Sequence, residues 1–524
     1  MTVNKKLSVA ALLCTLFSQP AWSAEKSDLP PVDPTTRKLI RLLVEQGVLT
    51  PEKADALLRE AEKPGPATAP VENTKPDPNV VRVPYVPETI KNEMREQIKQ
   101  EVLAQAKQER WGDPGTLPEW LARIKWEGDI RLRYEQDLFP AGNSGITPNY
   151  QAINAAGGIT KAGNNTFVND AEDRDRFRLR LRLGMLAKVS DSLEAGLRLA
   201  SGSTSDPIST NQTLGNTFNH NTIVLDRAYL RFDPKPWLTL WGGKIPNPWF
   251  GTDLVWDEDL NFDGIAAQYK PKFTDRLGGF ATFGWFPLQE IERASNDKYL
   301  TGVQVGFDWK PAANHRTKLG LAYYDYHHAS GVRNSLGSTL LDFTAPQFVQ
   351  KGNTMFDIRN DGGATNLYAL APDFKELNLT ASWEMAAFDP VHVVLTGDFV
   401  ENVGYDPEEI LQRTGLNMEP KTSGYQVKLA VGAPVMKKRA DWQFIMAYKY
   451  LERDAVLDAF TDSDFHLGGT DAKGWILGGS YGLAANTWLS LRWLSADEIN
   501  GPLDLPLPLP LAVDVIQLDI NAKF

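Results

Sequence analysis

From Ile124 to the C-terminus, apolar and polar residues alternate at every second position in short runs bounded by Gly, Pro, Asn and Asp. A period of two puts successive side chains on opposite faces of a strand, whereas a helix would scatter them around a cylinder. Sixteen such runs are readable: 124–135, 174–189, 192–201, 222–232, 237–244, 261–270, 275–286, 298–310, 316–327, 376–388, 391–402, 423–433, 440–452, 472–483, 487–497 and 512–524. Long connections (136–173, 202–221, 245–260, 287–297, 328–375, 403–422, 453–471 and 498–511) alternate with tight turns such as Ser190-Asp191 and Asp389-Pro390. Short turns on one rim and long loops on the other characterise a membrane barrel with both termini on the short-turn side. The predicted fold class is all-β: a transmembrane antiparallel β-barrel of about sixteen strands, within 14–18, over residues 112–524.

The run DRDRFRLRLRLGM, Asp173–Met185, tests this reading. Arg174, Arg176, Arg178, Arg180 and Arg182 share one face, and Phe177, Leu179, Leu181 and Leu183 share the other. Such a strand needs a different solvent on each side. An arginine facing lipid at mid-membrane costs about 2–4 kcal/mol, so five would cost on the order of 10–20 kcal/mol, as much as a whole domain's stability. The arginines are therefore expected to face the lumen. Arg131, Arg133, Arg198, Arg227 and Arg231 have the same parity on neighbouring strands and extend a basic wall. Arginines roughly 7 Å apart repel, so acidic partners are expected from Asp129, Glu135, Glu194 and the loops. The third long loop, opened by Lys244, carries Asp253, Asp257, Glu258 and Asp259.

The rest of the chain differs. Residues 1–23 read as a signal peptide, with Lys5 and Lys6, an apolar run over 7–17 and the small-residue end Ala21-Trp22-Ser23. The single cysteine, Cys14, lies inside it, and Leu13 before it does not suit lipidation. Residues 24–63 predict a short helical hairpin, with Pro34 opening the first helix, Gly47 ending it and Thr50-Pro51-Glu52 capping the second. A Pro-rich linker follows over 64–87. Residues 88–111 predict a polar helix whose thin stripe, Ile90, Met94, Ile98 and Val102, suits a coiled coil or a solvated spacer. No apolar run is long enough for a membrane-spanning helix. With 15 Trp, 15 Tyr and 23 Phe the aromatic content suits interfacial girdles.

Charge then narrows the function. With 55 Lys+Arg against 66 Asp+Glu the net charge is -11, and Glu172, Asp173 and Asp175 flank the arginine run, so nucleic acid is not an expected partner. Gly478–Gly482, GGSYG, matches a nucleophile elbow around Ser480, but an elbow needs a strand, a sharp turn and a helix, and Ser480 sits within strand alternation. No catalytic residue is assigned. His327-His328 beside Asp325, and the acidic stretch 458–466, lack a recognised metal spacing and read as solvated loop residues, so no metal and no cofactor is expected.

The last strand ends on Phe524 after Ile516, Leu518, Ile520 and Ala522, which resembles the C-terminal signature read by the outer-membrane assembly machinery. Signal peptide, helical extension and a barrel ending in Phe together resemble the putative porins of Gram-negative outer membranes over nearly the whole chain. The resemblance implies passive diffusion of small hydrophilic solutes or ions through a homotrimer set in lipid and lipopolysaccharide. It also implies that the third loop folds inward, as in general porins, and sets its acids across from the arginine wall. Two alternatives stand beside it. One is a structural anchor whose N-terminal helices contact peptidoglycan; the other is a secreted carbohydrate-binding β-protein.

Overall fold

The computed structural model describes residues 123–292, 295–363, 365–501 and 511–524, together with Gln100 and Val102. The expected signal peptide, helical hairpin and Pro-rich linker lie outside the described residues. Of the expected polar helix only Gln100 and Val102 are described, both helical and exposed. The chain divides after Glu101, and the barrel belongs to the second unit.

Sixteen strands form the barrel. They are β1 (Ile124–Leu138), β2 (Arg174–Lys188), β3 (Leu193–Ser201), β4 (Ile223–Lys235), β5 (Leu238–Pro246), β6 (Asn261–Tyr269), β7 (Leu277–Gln289) and β8 (Lys298–Ala312). The second half comprises β9 (His315–His327), β10 (Lys375–Phe388), β11 (Val391–Asn402), β12 (Ser423–Gly432), β13 (Trp442–Leu451), β14 (Ala472–Ala484), β15 (Thr487–Glu498) and β16 (Ala512–Lys523). Every run read from the sequence is a strand, with ends displaced by no more than three residues. Sequence neighbours pair antiparallel, and β1 pairs with β16, so the sheet closes and leaves no edge. A two-residue strand, Gln212–Thr213, adds to β2 at Arg178 and Leu179.

The alternation now has a wall to act on. Phe177 is 62% exposed and Trp126 60%, both on the outer face. Exposed aromatics gather near the short-turn rim (Trp237, Phe273, Trp309, Phe388, Trp442) and near the long-loop rim (Trp285, Tyr425, Trp475, Trp493), the two girdles an interface favours.

Other aromatic side chains go elsewhere. The inward positions of β6 to β9 carry Phe262, Phe286, Leu300 and Tyr324, which bury against Trp249, Leu254 and Trp256 of the loop after β5. Ring centroids lie 5.1 Å apart for Trp249–Tyr324, 5.0 Å for Trp256–Tyr324 and 4.9 Å for Phe262–Phe286. These contacts make a dry core inside the barrel, so girdles account for only part of the aromatic content.

The seam closes on the last residue. Phe524 N donates to Gly128 O at 2.9 Å, and Gly128 N to Phe524 O at 2.9 Å. A Cβ at position 128 would stand 2.5 Å from the Phe524 ring and 2.8 Å from Arg182 O, so only glycine fits there.

Candidate functional site

The arginine face of β2 meets the charged face of β1. Antiparallel register sets Arg182 opposite Asp129, Arg180 opposite Arg131, Arg178 opposite Arg133, Arg176 opposite Glu135 and Arg174 opposite Asp137. Like charges face each other at two of these steps, and acids from elsewhere relieve them. Arg133, only 2% exposed, binds Asp519 of β16 at 2.7 Å, Asp464 at 3.1 Å and Glu135 at 3.3 Å. Arg176 pairs with Asp137 at 3.2 Å and also with Glu135, which takes Arg178 at 3.2 Å. Asp129 holds Arg180 at 3.1 Å and Arg182 at 2.8 Å. Arg198 pairs with Asp226, and the half-buried Arg231 with Asp233 at 3.0 Å. Arg131 and Arg227 are bound by amides, Asn211 at 2.6 Å and Asn261 at 2.7 Å. Arg174, at the long-loop end of β2, is exposed.

The loop after β5 reaches several walls. Phe250 N donates to Gln304 of β8 at 2.8 Å, Thr252 Oγ1 to Asp398 of β11 at 2.7 Å, and Gln426 Nε2 of β12 to Asp253 at 2.7 Å. At its far end Asp259 accepts from Arg182 at 2.8 Å, beside Arg180 at 3.8 Å. Lys244 lies within β5 and pairs with Asp263 at 3.1 Å, and Glu258 is exposed.

A second inner segment joins it. The loop after β13 was read as solvated over 458–466, yet Asp458, Phe465 and His466 are each no more than 2% exposed. The reason is enclosure: this loop packs against the loop after β5. Asp257 N donates to Phe460 O at 2.8 Å, Ser463 N to Asp257 Oδ2 at 2.9 Å, and Thr461 Oγ1 to Leu254 O at 2.9 Å. Lys449 of β13 pins the two together, its buried Nζ 2.7 Å from Asp462 and 3.8 Å from Asp253.

The loop carboxylates titrate apart. Burial pushes Asp253 upward, but the Lys449 and Lys428 ammonium groups overcome it and hold the carboxyl down at about 2. Burial likewise opposes ionisation of Asp464 and Asp259, yet Arg133 and Arg492 hold the first well below the usual range, and Arg180 and Arg182 hold the second below it. For Asp257 burial, then the Asp462 and Asp259 charges, prevail and drive it well above the usual value.

Two cavities follow the arginine ladder. One of about 210 Å³ is lined by Glu135, Arg176, Arg178, Asp464 and Gln517. The other, of about 240 Å³, lies between Arg131, Arg180 and Arg492 and the loop acids Asp253, Asp257, Glu258 and Asp259, and both touch Ser463 and Asp464. Ser480, by contrast, lies mid-strand in β14 and shares a 2.8 Å hydrogen bond with Ser490. A family model described as putative porin matches residues 33–524.

The chain belongs to that porin family. Its barrel is of the outer-membrane kind, and family and fold both point to a channel rather than an enzyme. No curated protein matches it significantly. Solved structures similar to this porin include OprB of Pseudomonas putida, at 12% identity and a TM-score of 0.45, covering 79% of this chain and 97% of that one. OmpT of Vibrio cholerae, described as an outer membrane protein in trimer form, has 12% identity, a TM-score of 0.40 and coverages of 76% and 99%. OmpF of Salmonella typhi, in complex with daunomycin, has 9% identity, a TM-score of 0.39 and coverages of 76% and 97%. At these scores the likeness carries no further argument.

Lys449 and Arg492 are not singled out by the porin's sequence, and Asp462 and Asp464 look there like solvated loop acids. Parity could have found two of them. Lys449 alternates with the outward Tyr448 and Tyr450 on β13, and Arg492 with Leu491 and Trp493 on β15, which makes each an inward charge.

Proposed function

We propose that small hydrophilic solutes or ions diffuse passively along the arginine ladder, and that the acids of the two inner loops narrow this path. The observation that carries the reading is the cavity between Arg131, Arg180 and Arg492 on one side and Asp253, Glu258 and Asp259 on the other. Opposite charges across a narrow, low-dielectric gap set up a transverse field that orients polar solutes and filters them by charge. Homotrimer assembly, insertion through the assembly machinery by way of Phe524, and peptidoglycan contact by the N-terminal helices belong to the same proposal.

Planar-bilayer conductance of the detergent-purified protein under a salt gradient tests it. Stepwise conductance is expected, and replacing Arg178 and Arg180 by Ser should move the reversal potential toward cations. Silence from well-folded protein would overturn the open-path reading and favour the anchor. An unchanged reversal potential in the double variant would move the path off the ladder.

A further inference from the structure

Inside the short-turn end of the barrel, beneath the loop after β5, lies a separate cavity of about 660 Å³. It has no lining residue in common with the two cavities along the ladder. Its roof is the segment Asn247–Gly251, and behind that roof lies the dry core of Trp249, Leu254 and Tyr324. The walls carry six cations, Lys270, Lys272, Arg276, Lys310, Arg316 and Lys318, against two acids, Asp275 and Asp308. Both acids are already engaged, Asp275 by Lys272 at 2.8 Å and Asp308 by Arg316. Among the described residues Lys270, Arg276, Lys310 and Lys318 form no ion pair. Lys270 and Arg276 find only neutral acceptors, Gln268 Oε1 at 3.2 Å and Pro311 O at 3.4 Å. The Lys318 ammonium stands over two rings, 3.9 Å from the Phe250 centroid and 4.8 Å from that of Phe280.

Lys318 is half-buried and the other five cations are exposed, but two features set the group apart from scattered rim charges. The cations converge from β8, β9 and the turn between β6 and β7 onto one concave space, where field lines concentrate. They also outnumber the acids beside them, and both acids are already paired, in contrast to Arg176, Arg178, Arg180 and Arg182 of the ladder, each of which holds a carboxylate.

We infer that this cavity is a binding site for a small, multiply charged oxyanion, of the phosphate or polycarboxylate kind, reached from the short-turn side. The volume suits a compact ligand. Lys310 and Lys318 line it from β8 and β9, and Lys270 and Arg276 from the turn. The site is independent of the conduction path proposed above.

Calorimetric titration of the folded, detergent-purified protein with inorganic pyrophosphate, and separately with citrate, tests the inference without requiring conductance. One site per chain is expected for at least one probe, with affinity falling at least tenfold in Lys310→Gln/Lys318→Met. A preference between the probes tells phosphate from carboxylate chemistry. Binding that survives this double variant, or that disappears instead in Arg178→Ser/Arg180→Ser, overturns the inference, as does absence of binding by both probes. If Lys310→Gln/Lys318→Met loses its heat-modifiable barrel form, the single variants Lys310→Gln and Lys270→Gln take its place. Each is expected to weaken binding, and an unchanged affinity in both overturns the inference.

Discussion

Two halves of this barrel are filled by opposite means. Along β1, β2 and β16 the interior holds charges in alternation, Arg133 with Asp519 and Asp464, Arg182 with Asp129 and Asp259. Along β6 to β9 it holds Phe262, Phe286, Leu300 and Tyr324 sealed by Trp249 and Trp256. The first half leaves two small cavities, of about 210 and 240 Å³, beside the ladder. Apolar groups gain by excluding water, so the second half packs a core at mid-barrel, with cavities of about 840 Å³ toward the long loops and about 660 Å³ toward the short turns. The same inner loops serve both, presenting acids to one wall and indole rings to the other.

The sharpest way to break the contrast is at the pin between the loops. Lys449→Met leaves Asp253 and Asp462 buried without their cation, and removing one partner of a buried ion pair costs about 3–5 kcal/mol. We expect lower resistance to denaturant in detergent and a larger, noisier conductance, whereas Lys449→Arg should keep the quiet state. Trp256→Ala attacks the other half. Truncating a buried aromatic costs about 3–5 kcal/mol where it folds inward against Tyr324 and Phe262, with the lower end expected because the loop can relax. Its conductance should rise with little change in ion selectivity, the opposite of the ladder variants.

Acid gives an intermediate effect. The Asp253 carboxyl is held at about 2, below its ordinary 3.8, so its ionised form is favoured by folding. That contribution, about 2 kcal/mol, is present above pH about 4 and is lost as the pH falls toward 2. Denaturant midpoints measured at pH 5 and pH 3 should differ in the wild type, and by less in Asp253→Asn, where Asp464 and Asp259 still contribute. The smallest change is expected from Arg231→Gln. Its partner Asp233 is about as exposed as Arg231 itself, and exposed pairs contribute about 0–1 kcal/mol. Arg231 and Arg133 share a parity, so a comparable loss from both would mean that burial is not what separates them.

How much of this was legible follows from where periodicity operates. Sixteen strands and their alternating connections could be read because a membrane wall imposes a period of two on every strand, and Arg174 to Arg182 could be assigned to one face for the same reason. The inner loops carry no period. Asp458 and His466 look solvated in the sequence because their burial is set by distant segments: Asp458 N donates to Asn353 Oδ1 at 2.8 Å, and His466 Nε2 lies 3.1 Å from Leu511 O. Phe262, Phe286 and Tyr324 were legible as inward by parity, but counting aromatic residues alone assigns them to the girdles. Composition records what a chain contains, whereas parity records where each residue points.

The seam between β1 and β16 has a further consequence in time. Arg133 and Asp519 are 386 residues apart in the chain, and nearly every other strand pairing joins sequence neighbours. Local hairpins can form early at little entropic cost, but the ring cannot close until the final strand arrives. Until then Arg133 waits beside Glu135 without its tightest counter-ion, on a strand edge with open backbone groups. The strongest buried charge cluster in the lumen is therefore completed last, and it acts as a lock that engages only on a finished barrel.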